Sequence, residues 1–277
     1  MLNSDNMYID EVDSVENFLS VVFKFYNTKK DQLEKKHIHH LFFRGQERAC
    51  WNLLPSVFRN DYNERDLVLD IKQYAQELKF DYDFIKEMPL VLTDMQHFEI
   101  PTRLLDWTVE PLTALFFAVN NFDCKEAKVW VFNPWGYSFL NYNIPQILDI
   151  NVLSRALLAY GWNEEEIKNI LEKQYGFDCT CIDDMEKPVA FVGSFTNKRK
   201  IVQRGCFIIY GSKKEPFENY CKSKNCLNYI LIRNKEKIKE QLNELYINDL
   251  TVYPDFIGAK KQIEKYKGLF YLKNKNE

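Results

Sequence analysis

The chain has 277 residues, 46% of them apolar and 15% aromatic, with 37 basic and 40 acidic side chains for a net charge of −3. That apolar fraction excludes a disordered chain, and nine Gly and nine Pro exclude collagen-like or low-complexity material. The near-neutral total excludes a wholly basic nucleic-acid binder, yet it hides an asymmetry. Residues 1–196 carry 19 basic and 31 acidic side chains, whereas residues 197–277 carry 18 and 9. A cationic last third suits an anionic ligand, whether nucleotide, phosphate or nucleic acid; the alternative is a solvated Lys-rich face.

The acidic start, MLNSDNMYIDEVDSVENFL, lacks the basic and apolar regions of a secretory signal. The longest apolar run, Leu112–Val119, is broken only by Thr113 and is too short to span a bilayer. A soluble, cytoplasmic protein without membrane contact is expected. Seven Cys form no paired C-x-x-C motif. Cys179, Cys181, Cys221 and Cys226 could be combined into a zinc site, but buried, inert thiols fit better, and no metal is expected.

Elements follow in chain order. Apolar residues from Val15 to Tyr26 recur at helical spacing, so Ser14–Lys36 reads as an amphipathic helix with Ser14 at its start. His39–Gln46 reads as a short strand. Glu64–Glu87 and Leu90–Phe98 read as helices ended by Pro89 and Pro101. Glu110–Asn121 is an apolar helix with Pro111 at a favoured first position. Lys128–Phe132 alternates as a strand. Val152–Tyr160 and Glu164–Tyr175 read as short helices. Val189–Val192, Cys206–Tyr210 and Tyr229–Ile232 read as strands, and Ile238–Leu245 and Ala259–Tyr266 as closing helices. Strands and helices do not alternate at βαβ spacing, so the expected class is α+β. A mixed or antiparallel sheet would form its core, with helical insertions at about 62–98 and 151–175. Residues 1–36 would form a helical extension and 37–277 one domain.

Polar residues intrude on apolar company in three places, a pattern that tends to mark functional sites. In Phe42-Phe43-Arg44-Gly45-Gln46, an arginine follows a buried aromatic run, suited to bidentate phosphate contact or to a structural ion pair. In Gln96-His97-Phe98-Glu99-Ile100-Pro101-Thr102-Arg103-Leu104-Leu105-Asp106-Trp107-Thr108, alternation would put Thr102, Leu104 and Asp106 on one face and Arg103, Leu105 and Trp107 on the other. Asp106 could carry chemistry or cap the following helix. In Arg199-Lys200-Ile201-Val202-Gln203-Arg204-Gly205, a basic loop feeds a strand, and Gln203 near its start must find hydrogen-bond partners.

Together, Phe43-Arg44-Gly45, the Gln96-His97 to Ala118 block, the Gln203-x-Gly205-x-Phe207 segment and Tyr253-Pro254-Asp255-Phe256 resemble the FRG domain family over roughly residues 40–260. The order of blocks is also distantly similar to ADP-ribosyltransferases of the Arg-Ser-Glu type. That similarity implies an ADP-ribosyltransferase-like fold and NAD as co-substrate. It further implies a nucleic-acid or protein acceptor and a bacterial toxin or antiphage setting. On it, Arg44, Asp106, Gln203 and His97 would carry catalysis, and Arg44, Gln46, Arg103, Trp107, Thr108 and Arg199 would hold the nucleotide. Within that scheme Arg44 holds phosphate, Thr108 orients the ribose, Trp107 stacks on nicotinamide and Gln203 binds a ribose hydroxyl. Gln203 stands where those enzymes carry a catalytic Glu, and Asp106 is the substitute carboxylate, with Glu99 a poorer one. The alternative is a non-catalytic nucleotide-, nucleic-acid- or partner-binding module. Metal-dependent hydrolysis through His37, His39 and His40 fits poorly, because no HExxH or paired Asp motif accompanies them.

Overall fold

Short apolar runs such as Phe42-Phe43, Val129–Phe132, Cys206–Ile209 and Tyr229–Ile232 become strands of one sheet in the computed structural model. Its described residues are 7–34, 41–60, 62–77, 88–142, 148–149, 187–192, 198–211, 213–221 and 225–266. Strand β1 (Tyr8–Val12) precedes helix α1 (Val15–Glu34), and β2 is Phe42–Gln46. Helices α2 (Ser56–Arg59), α3 (Glu64–Glu77) and α4 (Met88–His97) lead to β3 (Leu104–Thr108) and α5 (Pro111–Ala118). Then come β4 (Ala127–Phe132), α6 (Pro134–Tyr142), β5 (Leu148–Asp149) and β6 (Val189–Val192). The last part holds α7 (Lys198–Gln203), β7 (Gly205–Ile209), α8 (Phe217–Cys221), β8 (Leu227–Ile232), α9 (Lys235–Glu244), α10 (Asp249–Val252) and α11 (Phe256–Tyr266).

The strands lie in the order β1-β8-β4-β2-β3-β7-β6-β5. The β1–β8 and β5–β6 pairs are parallel and the rest antiparallel, so the fold is α+β around a mixed sheet. Each face of the sheet carries its own core. On one, Phe43, Val129, Val131, Ile230 and Ile232 pack under α1, α5 and α9. On the other, Phe42, Trp107, Trp130, Phe132 and Ile208 pack with Leu53, Val91 and Phe217.

Most expected elements form within a few residues of their expected bounds. Ser14 caps α1, its hydroxyl accepting from Asn17 N at 3.2 Å. Two expectations need correction. Residues 8–12, within the expected helical extension, form an edge strand of the main sheet. The basic segment at 199–203 is helical, so Gln203 ends α7 instead of opening a strand. Residues 78–87 of the expected long helix, the helices at 151–175, His37, His39, His40, Cys179 and Cys181 lie outside the described residues. Cys221 and Cys226 are buried.

A split in the sheet positions the site. Strand β2 pairs with β4 over five residues but meets β3 in register only at Phe43 and Thr108. Beyond that pair, Arg44–Gln46 and the Leu104–Trp107 stretch are not laddered together. Arg44 bridges the gap with its side chain, donating from Nη1 to the Asp106 carbonyl at 2.5 Å.

Candidate functional site

The split opens into a cavity of about 340 Å³, lined from β2 by Arg44, Gly45 and Gln46. Asp106, Trp107 and Thr108 line it from β3, and Arg199, Lys200 and Gln203 from α7. His97 and Gln96 come from α4, and Phe117 and Tyr253 from the segments behind. Residues from three distant parts of the chain thus share one wall, because β3 pairs with β7 and α7 leads directly into β7.

Asp106 lies on the cavity floor, reachable by solvent from the mouth and surrounded by protein beneath. Its Oδ2 accepts from Gln96 Nε2 at 2.5 Å. Burial pushes its carboxyl above the ordinary carboxylate range; the Arg44 guanidinium, the Gln96 hydrogen bond, Lys200 and Arg199 oppose that rise. Asp106 does not cap α5: the N-cap position is Glu110, and Thr108 Oγ1 accepts from the Glu110 N–H at 2.9 Å.

Arg44 keeps one guanidinium N–H, at Nε, buried and without a hydrogen-bond partner. Arg199 is buried and stacks its guanidinium over Tyr253, 4.8 Å from the ring centroid. It donates to the His97 carbonyl at 3.1 Å, and its Nη2 sits 3.1 Å from Asp255 Oδ2 as an ion pair without an aligned hydrogen bond. Lys200 is buried against Thr93 Oγ1 at 2.7 Å and Asp94 Oδ1 at 2.8 Å. Burial, and then Arg199, lower the pKa of the His97 imidazole, so it is neutral at neutral pH.

Other expected site residues are engaged in structure. Gln46 lies between Trp130 Nε1, which donates to it at 2.6 Å, and the Asn52 carbonyl, to which it donates at 3.1 Å. Thr108 donates to the Gln203 carbonyl at 2.6 Å, and Gln203 Nε2 donates to Val252 O at 3.0 Å. Trp107 contributes to the wall, but its indole is packed against Phe132 and Phe217 and offers no stacking surface to a ligand. Arg103 is outside the cavity, donating to Tyr210 O at 3.3 Å, because strand alternation sends it to the face opposite Asp106.

The sequence reading missed Trp51, Arg59 and Lys200 as lining residues. Trp51 is 41% exposed at the cavity, with the Arg48 guanidinium 5.5 Å from its ring centroid. A lone exposed tryptophan near Arg44 was its only sequence signal. Among the described residues no group of three His, Cys, Asp or Glu side chains could hold a metal ion. No helix among them is long and apolar enough to cross a membrane.

Fold and cavity define an α+β protein with a cationic cleft cut into a split sheet. Residues 39–127, which run from β2 through α5 to the start of β4, match the model of the FRG domain, and the chain carries that domain there. The match includes Arg44, His97 and Asp106 and stops short of α7 and the Tyr253-Pro254-Asp255-Phe256 element. No curated protein and no solved structure matches the chain.

Proposed function

We propose that this FRG domain protein is an ADP-ribosyltransferase-like enzyme that takes NAD as co-substrate. It breaks the bond between ribose C1′ and the nicotinamide nitrogen. The bonding electron pair leaves on nicotinamide, and an oxygen or nitrogen nucleophile of a macromolecule bonds to C1′ and gives up its proton. The observation that carries this reading is the convergence of Arg44, Asp106 and Gln203 on one cavity at the split of the sheet. Its volume lies within the range of about 300–1,000 Å³ usual for small-molecule sites.

The unpartnered Arg44 N–H is the kind of donor that a diphosphate oxygen satisfies, and Arg59 adds a second cation to the same wall. Asp106 supplies the negative charge that stabilises the cationic ribosyl group as the bond breaks. With its amide N–H held by Val252, Gln203 keeps Oε1 to accept from a ribose hydroxyl. Neutral His97 takes the acceptor's proton. Trp51, rather than Trp107, is the base platform: its exposed indole flanks the cationic wall, and base–aromatic stacking contributes about 1–3 kcal/mol per base.

The test is free nicotinamide released from NAD in the presence of lysate protein or total nucleic acid. Release is expected from the native chain and is lost in Arg44→Ala. In calorimetric titration with NAD, Trp51→Ala weakens binding by about tenfold or more and Trp51→Phe largely retains it. The amide at position 203 favours one other reading, a nucleotide-binding module without turnover. Tight NAD binding with no nicotinamide release under any acceptor would establish that reading in place of the enzyme.

A further inference from the structure

Two side chains beneath Asp106, Thr102 and Gln96, form a hydrogen-bond chain that ends on its carboxylate. The Leu104 backbone N–H donates to Thr102 Oγ1 at 3.2 Å, filling an acceptor site on that hydroxyl. The Thr102 hydroxyl donates its one proton to Gln96 Oε1. With its carbonyl so engaged, the Gln96 amide presents its NH2 to Asp106 Oδ2 at 2.5 Å. The flipped amide would set two acceptor oxygens against each other at the same distance. Thr102 is fully buried, and its own N–H is held by Ser56 Oγ at 3.2 Å, so the origin of the chain is rigid.

We propose that Gln96 and Thr102 are positioning residues for Asp106, an orientation-locked relay that aims one N–H donor at the carboxylate and holds it toward the cavity. The relay deepens the reading of Asp106 as the charged group of the site and rests on that reading for its purpose, though not for its geometry. It also gives a physical reason for the spacing of Gln96, Thr102 and Asp106: Gln96 near the end of α4 stands between Thr102, in the connection to β3, and Asp106 on β3. The other charged or titratable groups facing Asp106 are Arg44 from β2, Arg59 from α2, Arg199 and Lys200 from α7, and the Cys206 thiol from β7. The cations favour the carboxylate from other sides, and none replaces a donor that is fixed in direction.

The experiment is a carbon-13 NMR titration of aspartate-labelled full-length protein, with the Asp106 resonance assigned by its absence in Asp106→Asn. Gln96→Met removes the donor at similar volume, and the Asp106 midpoint is expected to rise by about one to two pH units, ten- to a hundredfold in acid constant. Thr102→Val keeps the buried shape but removes the hydroxyl that orients the amide, and is expected to raise the midpoint by a smaller step. Thr102→Ser restores the hydroxyl and the native midpoint. A role limited to packing would leave the midpoint unmoved in all three, and that result in folded protein would overturn the relay. An unaltered midpoint in Thr102→Val with a raised one in Gln96→Met would also overturn the orientation lock. The titration needs no turnover, so shifted midpoints with no nicotinamide release would defeat the transferase reading alone and leave the relay standing.

Discussion

Asp106→Asn is expected to lower nicotinamide release by about two to three decades, the loss that follows removal of one preorganised charge or donor at a transition state. The substitution is isosteric, so NAD binding through Arg44 is expected to persist and the loss to fall on kcat. The pH dependence gives a second signature. Because burial holds the Asp106 carboxyl above the ordinary carboxylate range, the acid limb of the rate profile lies above that range. The limb disappears in the Asn variant. Stability responds with the opposite sense. A carboxyl whose native pKa is raised binds its proton more tightly in the folded chain than in the unfolded one. The resulting stabilisation is complete below the unfolded value and is lost as pH rises through the native value. Above the native value the ionised carboxylate contributes nothing favourable by this route, and there Asp106→Asn is expected to leave Tm unchanged or slightly higher. Thermal melts at pH 7 beside the rate assay check both. A fall in Tm matching the fall in rate would mark Asp106 as structural.

The residues that made the fold legible are those whose local pattern and final environment agree. Apolar spacing in Val15–Tyr26, the Pro111 start of α5 and the alternation of Lys128–Phe132 each point to the element that forms. Strand β1 was not legible because two adjacent acidic side chains, Asp10 and Glu11, break any apolar alternation in Tyr8–Val12; its identity comes from pairing with Tyr229–Ile232, far along the chain. Helix α7 was hidden for a related reason. Its buried face consists of Arg199 and Lys200, held by Asp255, Asp94 and Thr93 from other segments, so its sequence reads as a solvated basic loop.

The site divides along the same line. Arg44 and Asp106 stood out as polar intrusions in apolar strands, and both reach the cavity. Arg103 belongs to the same segment but lies outside the cavity, since strand alternation turns it to the face opposite Asp106, and Trp107, though at the wall, packs its indole on Phe132 and Phe217. Trp51 and Arg59 sit outside any periodic pattern, and only the fold places them beside Arg44. The cationic last third turns only part of its charge toward the cavity. Arg199 and Lys200 reach the cavity wall, whereas Arg233 spends its charge on Glu11 and Glu126, and Lys235 its donors on the Glu47 and Cys124 carbonyls.

Gly45→Ala is expected to be the most destabilising single-methyl change near the site. A Cβ at position 45 would stand 2.0 Å from the Ala114 carbonyl oxygen and 2.6 Å from the Ala118 nitrogen. Both atoms are backbone of α5, so no side-chain rotation relieves the clash; either helix or strand must move. Neither moves cheaply, because Ala114, Leu115, Phe116 and Ala118 are fully buried and β2 is laddered to β4 through this stretch. Overpacking of a rigid core typically costs about 1–3 kcal/mol, and backbone meeting backbone belongs at or above the upper end. In a chain of this size that is a fall in Tm of roughly 6–12 °C. The control is Gly205→Ala, also beside the cavity, where the added carbon would lie 3.6 Å from Phe207 Cζ, an ordinary contact, and a change within about 0.5 kcal/mol is expected. Binding should separate the two variants as well. Displacing β2 from α5 carries the adjacent Arg44 away from Asp106, so Gly45→Ala is expected to weaken NAD binding even below its melting transition, while Gly205→Ala leaves it intact. Equal Tm values for the two alanine variants would show that the close approach of α5 is not what requires glycine in the Phe-Arg-Gly sequence.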